Sequence, residues 1–458
     1  MNYQQLFHDL GDRRIRLAVT GAGGEFARTL LVQCRAMPSM QVSALCDLNI
    51  EAPRSLLRQL GFAGDAAVLC EDADGARAAQ AAGRIALIRD HALLEALALD
   101  IVVEATGQPE VGLRIAEAAL RRGVHVAIVS KEMDSVAGPY LNRVAAEHGV
   151  VYTIADGDQP SNLAGLVSWA RLLGFEVVAA GKSSEYDYIY DRAAGTVRYL
   201  DRQVPAADLA RHWAMGEDAA ATLRGRSAAL ASLPQSATPD YCEMNIVANS
   251  TGLLPSCDAL NYPLCRIGEL ADVFIPREDG GILDRTGVVD VFNCLRATDD
   301  VSFGGGVFIV VRCTDAIVWE VLRAKGHLVS RNARYACVYL PYHLMGLETP
   351  LSVLSAVVHH RSSSATDMAV HAVMLARTDR DFSAGETLTV GGHHHVIGGI
   401  SARLLPVGPA TTPLAPFYVV ANKRLLTDVP AGRFIALDML DLTGSALAQA
   451  WQRSLAVR

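Results

Sequence analysis

Little in this sequence ties it to a membrane, a secretory route or a nucleic acid. No run of 18 or more apolar residues occurs, so no membrane-spanning helix is expected. The start, Met1-Asn2-Tyr3-Gln4-Gln5, has no charged-then-apolar pattern, and the expectation is a cytoplasmic protein without a secretory signal. The net charge is -8 and no basic stripe appears, which argues against nucleic acid as a partner. The nine cysteines are scattered singly, with no CxxC pair. That pattern fits reduced thiols better than a disulfide frame or a zinc site. What remains is ordinary globular composition, 51% hydrophobic and 20% charged over 458 residues, enough for two to four domains.

The most informative stretch is Arg14 to Asp47. An apolar run, Ile15 to Val19, precedes the cluster Gly21-Ala22-Gly23-Gly24. A helical stretch from Phe26 to Cys34 follows, and a second strand, Val42 to Cys46, ends on Asp47. Strand, glycine turn, helix, strand and terminal acid form the dinucleotide-binding fingerprint. Glycines let the backbone approach a pyrophosphate, and the helix start at Glu25 and Phe26 offers free N–H groups. Phe26 stands where the third glycine belongs, so close helix–strand packing falls to Ala27. A carboxylate at Asp47 accepts ribose hydroxyls and repels a 2′-phosphate, which favours NAD and leaves NADP as the alternative.

The rest of the first 157 residues alternates strands and helices, as a parallel sheet requires. Asn2 to Asp12 reads as a leading amphipathic helix, and Ala52 to Gly83 as an Ala-rich, mostly helical insertion before the strand Ile85 to Ile88. Asp100 to Glu104 runs into the small-residue turn Ala105-Thr106-Gly107, where a cofactor ring would sit, and then a helix from Val111 to Arg122. The strand Val124 to Val129 delivers Ser130 and Lys131, and Val150 to Ile154 ends in Ala155-Asp156-Gly157-Asp158. Residues 158–360 read as α+β. Ser161 caps a helix to Leu173, Phe175 to Ala180 is a strand delivering Lys182, and Ala206 to Leu233 is a helical pair with an Arg-rich face. Glu243 to Asn249 suits helix or strand equally, and Gly304-Gly305-Gly306 enters a strand through a turn. Residues 361–458 turn to short strands and glycine turns, after a polar linker at Arg361-Ser362-Ser363-Ser364-Ala365. Two stretches there echo each other, Phe382 to Leu388 and Asp428 to Ala436, each around Ala-Gly.

Asp100 to Gly107 and Ser130-Lys131 are similar to the corresponding stretches of homoserine dehydrogenase, a resemblance confined to the first domain. Gly157 to Ser161, Ala180-Gly181-Lys182, Ala248 to Leu253, Gly280 to Leu283 with Gly287 to Asp290, and Pro341-Tyr342-His343-Leu344 resemble a second family over nearly the whole chain. That family is the 1-deoxy-D-xylulose 5-phosphate reductoisomerase-like group, homoserine-dehydrogenase-like proteins with a SAF (β-clip) module. The resemblance implies an α/β protein: a Rossmann domain over 1–157, an α+β catalytic domain over 158–360 and a small all-β SAF-like domain over 361–458. It implies an NAD(P)-dependent oxidoreductase of a small polyhydroxy sugar acid or sugar phosphate, with a possible carbon-skeleton rearrangement, working as a dimer or tetramer. The reductoisomerases use NADPH, whereas Asp47 favours NAD, and Ser183-Ser184-Glu185-Tyr186-Asp187 stands where their signature is basic and asparagine-rich. A phosphate site wants cations.

The chemistry-bearing candidates follow. Lys131 and Lys182 each leave a strand and can move a proton or polarise a carbonyl, and the family match tips both from surface lysines to functional ones. Glu185, Asp187 and Glu243 are candidate proton acceptors, which paired could also hold a divalent metal, although no spacing demands one. Gly21, Gly23, Gly24, Glu25, Phe26, Asp47, Ala105, Thr106, Gly107, Ser130 and Lys131 are expected at the cofactor. Asp158, Ser183, Ser184, Asn245, Asn249 and His343 are expected at the substrate. Three adjacent histidines, His393 to His395, make a poor metal cage because neighbours in a strand point to opposite faces. The alternatives are a true NADPH-dependent reductoisomerase, a homoserine dehydrogenase, and a non-catalytic nucleotide or carbohydrate sensor.

Overall fold

The computed structural model describes residues 2–312, 315–363, 365, 367–392 and 395–457, so His393 and His394 lie outside the described residues. The chain divides into two compact units, each assembled from separate stretches. The first comprises Met1–Ser161, Leu344–Val370 and Leu442–Arg458.

Its centre is a seven-stranded sheet of β1 (Ile15–Thr20), β2 (Met40–Cys46), β3 (Ala67–Leu69), β4 (Ile85–Ile88), β5 (Ile101–Glu104), β6 (His125–Ile128) and β7 (Tyr152–Ile154). The spatial order is β3-β4-β2-β1-β5-β6-β7 and every pairing is parallel. The strands are buried on both faces, which explains their continuous apolar runs rather than alternation. Strand order reverses between β1 and β5, and the carboxyl ends of strands at such a switch point form the natural crevice. β3 was hidden in the Ala-rich insertion because three residues are too few to show a period. The leading helix is corrected: only Tyr3–Leu6 is α-helical, a short 3₁₀ turn follows, and Gly11 at φ +52° ends it. A segment this short cannot support itself without a buried face.

The second unit comprises Asn162–His343 and His371–Asp441. Its mixed sheet adds β8 (Val177–Ser183), β9 (Tyr188–Asp191), β10 (Thr196–Tyr199) and β11 (Arg202–Pro205), then two-residue strands β12 (Leu254–Pro255) and β13 (Leu264–Cys265), then β14 (Val288–Ala297), β15 (Val307–Arg312) and β16 (Tyr335–Leu340). The order is β11-β10-β9-β14-β8-β15-β16, with β8 parallel to β14 and antiparallel to β15. The ambiguous Glu243 to Asn249 lies inside a helix, Thr238–Thr251. All ten residues from Asp240 to Asn249 are buried, so the helix has no polar face and its sequence shows no amphipathic period. Of the arginines in that helical pair, Arg211 and Arg224 are exposed and Arg226 is not. Arg226 is fully buried and grips Glu269 with two guanidinium nitrogens at 2.7 and 3.0 Å.

The C-terminal part of this unit pairs β17 (Ala372–Thr378) antiparallel with a strand at Ile400–Pro406. The two echoing Ala-Gly stretches are structural partners. Phe382 bridges Val429, Asp381 accepts the Ala431 N–H, and Asp428 accepts the Ala384 N–H, both at 2.7 Å. Among the described residues no helix is long and apolar enough to cross a membrane.

Candidate active site

In the first unit, the predicted cofactor residues gather at the carboxyl edge of β1, β2 and β5. Gly21 sits at φ +64°, and an added Cβ there would lie 2.2 Å from the Ala105 carbonyl oxygen. The two turns at the switch point therefore touch backbone to backbone, which only glycine permits. Gly24 donates to the Gly21 carbonyl at 3.1 Å and caps the helix Glu25–Ala36, leaving Gly23, Gly24 and Glu25 exposed. This is a glycine cradle at a helix N-terminus, and its shape fits a pyrophosphate. Asp47 does more than wait for a ribose: its carboxylate accepts Gly23 N–H and Asn49 N–H, both at 2.8 Å, and so ties the glycine turn to the end of β2. The Phe26 side chain lies in the core. Its side chain is buried among Leu30, Leu31 and Leu57, and the fully buried Ala27 beside it provides the close packing.

Ser130 accepts the Gly107 N–H at 2.8 Å, and Thr106 N–H reaches the buried carboxyl of Glu104 at 2.9 Å. Lys131 opens the helix Lys131–Glu147, where a cation is opposed by the positive helix end. Asp158 offsets this with an ion pair at 3.0 Å. The lysine is 22% exposed and its aspartate is buried, so the ammonium is the half of the pair that a ligand can reach.

In the second unit β8 delivers Lys182 to a sealed cluster. Gly181 explains how. An added Cβ would come 2.6 Å from the Asp290 carbonyl oxygen of β14 and 2.7 Å from the Phe308 ring of β15. Gly181→Ala must push the strands apart beside Lys182, and it is expected to cost about 1–3 kcal/mol, read as an earlier thermal melt. A variant melting with the wild type would refute that reading. The Lys182 ammonium bonds Asp240 at 2.6 Å and also Glu243, and Ser184 donates to the other Asp240 oxygen at 2.9 Å. All three charged groups are at most 3% exposed. Burial alone would lower the lysine pKa, but the two carboxylates outweigh it and hold the group above its ordinary value as an ammonium. Burial pushes Asp240 up, against the pull of Lys182. One positive and two negative charges leave the cluster one proton short of neutrality, and a dry site favours taking that proton.

The sequence missed Asp240, whose signal was its i,i+3 spacing to Glu243 on one helix face. The other candidates have these surroundings. Ser183 spends its hydroxyl on the Phe303 carbonyl at 2.6 Å. Asn249 accepts the N–H groups of His371 and Ala372 at 2.8 and 3.0 Å, fixing the start of β17, and Asn245 is buried one turn before it. Asp187 pairs with Arg296 at 2.7 Å. Glu185 bonds the Tyr186 hydroxyl, and His343 packs against Gly305. Ser161 does not cap its helix but donates to Asp156 at 2.6 Å from within the first turn.

Residues 157–349 match the family model described as the catalytic domain of the oxidoreductase DRL. The buried Lys182 cluster lies within the stretch that this model matches. No curated protein matches the chain. Among solved structures, one similar chain is a DOX-P reductoisomerase in complex with NADPH, fosmidomycin and magnesium, at 18% identity and TM-score 0.32, covering 52% of this chain and 59% of that one. Another is a probable dehydrogenase from Thermotoga maritima, at 11% identity and TM-score 0.38, covering 77% and 91%. A third is the WlbA dehydrogenase from Bordetella pertussis in complex with NADH and UDP-GlcNAcA, at 18% identity and TM-score 0.26, covering 40% and 49%. The chain thus spans 59% of the length of the reductoisomerase, and at these levels no ligand passes from those proteins to this one.

Proposed function

We propose that this chain oxidises a carbinol of a small polyhydroxy compound, a sugar acid or sugar phosphate, with NAD, and that a carbon-skeleton rearrangement accompanies the oxidation. The observation that carries this is the buried Lys182–Asp240–Glu243 cluster within the stretch that matches an oxidoreductase catalytic domain. Oxidation of a carbinol releases a hydride from carbon and a proton from oxygen. The cluster is one proton short of neutral, so Asp240 or Glu243 takes the O–H proton while the Lys182 ammonium donates a hydrogen bond to the forming carbonyl. Lys131, steadied by Asp158, would stand at the nicotinamide edge of the first unit. NAD would be held by the Gly21–Gly24 turn, Asp47 and the Ala105–Gly107 turn, and it supplies a two-electron hydride acceptor. The C-terminal β segment is read as a SAF module, and the protein as a cytoplasmic homo-oligomer.

The test is a screen of sugar acids and sugar phosphates for reduction of NAD and of NADP, with NMR of the products to detect a rearranged skeleton. Failure to bind either nucleotide overturns the reading. Asp47 gives a separate prediction. Asp47→Ser removes the charge that repels a 2′-phosphate, so the ratio of NADP to NAD affinity should rise by about tenfold or more. Fluorescence titration of both nucleotides measures it, and an unchanged ratio would show that Asp47 serves only the glycine turn.

A further inference from the structure

Glu104 ends β5 and is completely buried. One of its oxygens, Oε1, gathers the Thr106 N–H at 2.9 Å, the Thr106 hydroxyl, and the Thr20 hydroxyl at 3.4 Å from the end of β1. The Ser130 hydroxyl also bonds this carboxyl, and it accepts the Gly107 N–H. The Glu104 backbone carbonyl accepts Val129 N–H at 2.9 Å. A single side chain therefore joins the ends of β1 and β5 to the turn that follows β6. Room for it comes from Gly112, where an added Cβ would meet Oε2 at 2.9 Å, and Oε2 has no hydrogen-bond partner. A carboxyl with an unsatisfied oxygen is a costly way to fill a core position, and an apolar residue would pack there more stably. The site keeps the cost, and what it gains is a fixed geometry for Ala105, Thr106 and Gly107 against Gly21.

We infer that Glu104 is the positioning residue of the nicotinamide end of the site: it holds the Thr106–Gly107 turn and the Ser130 hydroxyl in register with the Gly21 turn. This rests on the nicotinamide reading above. Glu104 touches no ligand; it acts through Thr106, Gly107 and Ser130.

Three variants test it with two readouts other than turnover. NAD affinity is measured by calorimetric titration, and amide hydrogen exchange of the peptide spanning 105–108 is followed by mass spectrometry without nucleotide. Glu104→Gln keeps the Oε1 acceptor, so affinity should stay within about threefold and the turn should stay protected. Glu104→Leu removes the acceptor and leaves four donors to find other partners. It should weaken NAD binding about tenfold or more and speed exchange at 105–108, while the rest of the parallel sheet exchanges as in the wild type. Should Glu104→Leu not fold, Thr106→Val removes one arm of the network and should move both readouts in the same direction by a smaller factor. NAD affinity unchanged in a folded Glu104→Leu, or in Thr106→Val when the leucine variant does not fold, overturns the inference. Loss of binding in Glu104→Gln as severe as in Glu104→Leu also overturns it, because that would make charge, not geometry, the cause. Wild-type protein that binds neither NAD nor NADP overturns the proposed function itself, an outcome separate from either of these.

Discussion

Lys182→Met is expected to abolish turnover and to lower stability by about 3–5 kcal/mol at neutral pH, the usual result of removing one partner from a buried ion pair. The side chain lies between Asp240 and Glu243 with almost no access to water, so its loss leaves two carboxylates facing each other without a counter-ion. Methionine nearly fills the volume, which confines the defect to charge and hydrogen bonding. The two carboxylates must then take up protons in the fold at a pH where they are ionised in the unfolded chain. Their penalty is present at neutral pH and fades as the pH falls toward the ordinary carboxylate range. Thermal melts of wild type and variant at pH 8 and pH 5 should therefore converge at the lower pH. Equal melting at pH 8 would show that the cluster is not the sealed ion triad described here. Turnover separates stability from chemistry. At a temperature where the variant is fully folded, a loss of about 100-fold or more in kcat is expected if the ammonium stabilises the forming carbonyl. A folded variant with full kcat would remove Lys182 from the reaction.

Much of the first unit could be read from its sequence because parallel strands buried on both faces appear as unbroken apolar runs, and Ile85–Ile88 falls where its apolar run stands. The carboxyl-edge turns were legible for the same reason: each run stops at a small or polar residue. Glu104 was passed over since an acid at the end of an apolar strand looks like a solvated terminus, and only three-dimensional packing shows it without water. Lysine itself carried more signal than its position alone. Four of the 41 basic residues are lysines, and two of the four, Lys131 and Lys182, meet buried acids. The second unit was less legible. Its central helix, Thr238–Thr251, is buried all round, so period gave no answer, and Asp240 went unnoticed with it. Ser183 and Asn249 sit beside the site in sequence but spend their polar atoms on backbone, a distinction only hydrogen-bond geometry makes. The assembly of each unit from separated stretches leaves no local trace along the chain.

Asp134→Asn should make the protein more stable at pH 8 and leave it nearly unchanged at pH 5. Asp134 lies one turn beyond Lys131, completely enclosed, with the Tyr152 hydroxyl donating to Oδ1 at 2.6 Å and no partner on Oδ2. Burial pushes its pKa from 3.8 up to about 7; the Tyr152 hydrogen bond pulls it down and the Asp158 charge adds to the rise. Between those values the folded protein holds a proton that the unfolded chain has released. Stability from this group is therefore full below about 4, declines as pH rises, and is lost above about 7, on the order of 4 kcal/mol in all. Asparagine carries no charge to bury and still accepts from Tyr152, so it escapes the decline and offers only an amide in place of the unpartnered oxygen, at about 1–3 kcal/mol. His125 makes the comparison informative because it slopes the other way. Burial and the nearby His360 push it from 6.5 down to about 4, and its Nδ1 accepts the Val151 N–H at 2.9 Å. The unfolded chain binds the extra proton there, so stability rises with pH between about 4 and 6.5. In the wild type the two slopes oppose each other over that range. In Asp134→Asn one of the opposing declines is gone, so the melting temperature of the variant relative to the wild type should rise between about pH 4 and 7. A variant whose melting temperature differs from the wild type by the same amount at pH 5 and pH 8 would mean that Asp134 is ionised in the fold at both.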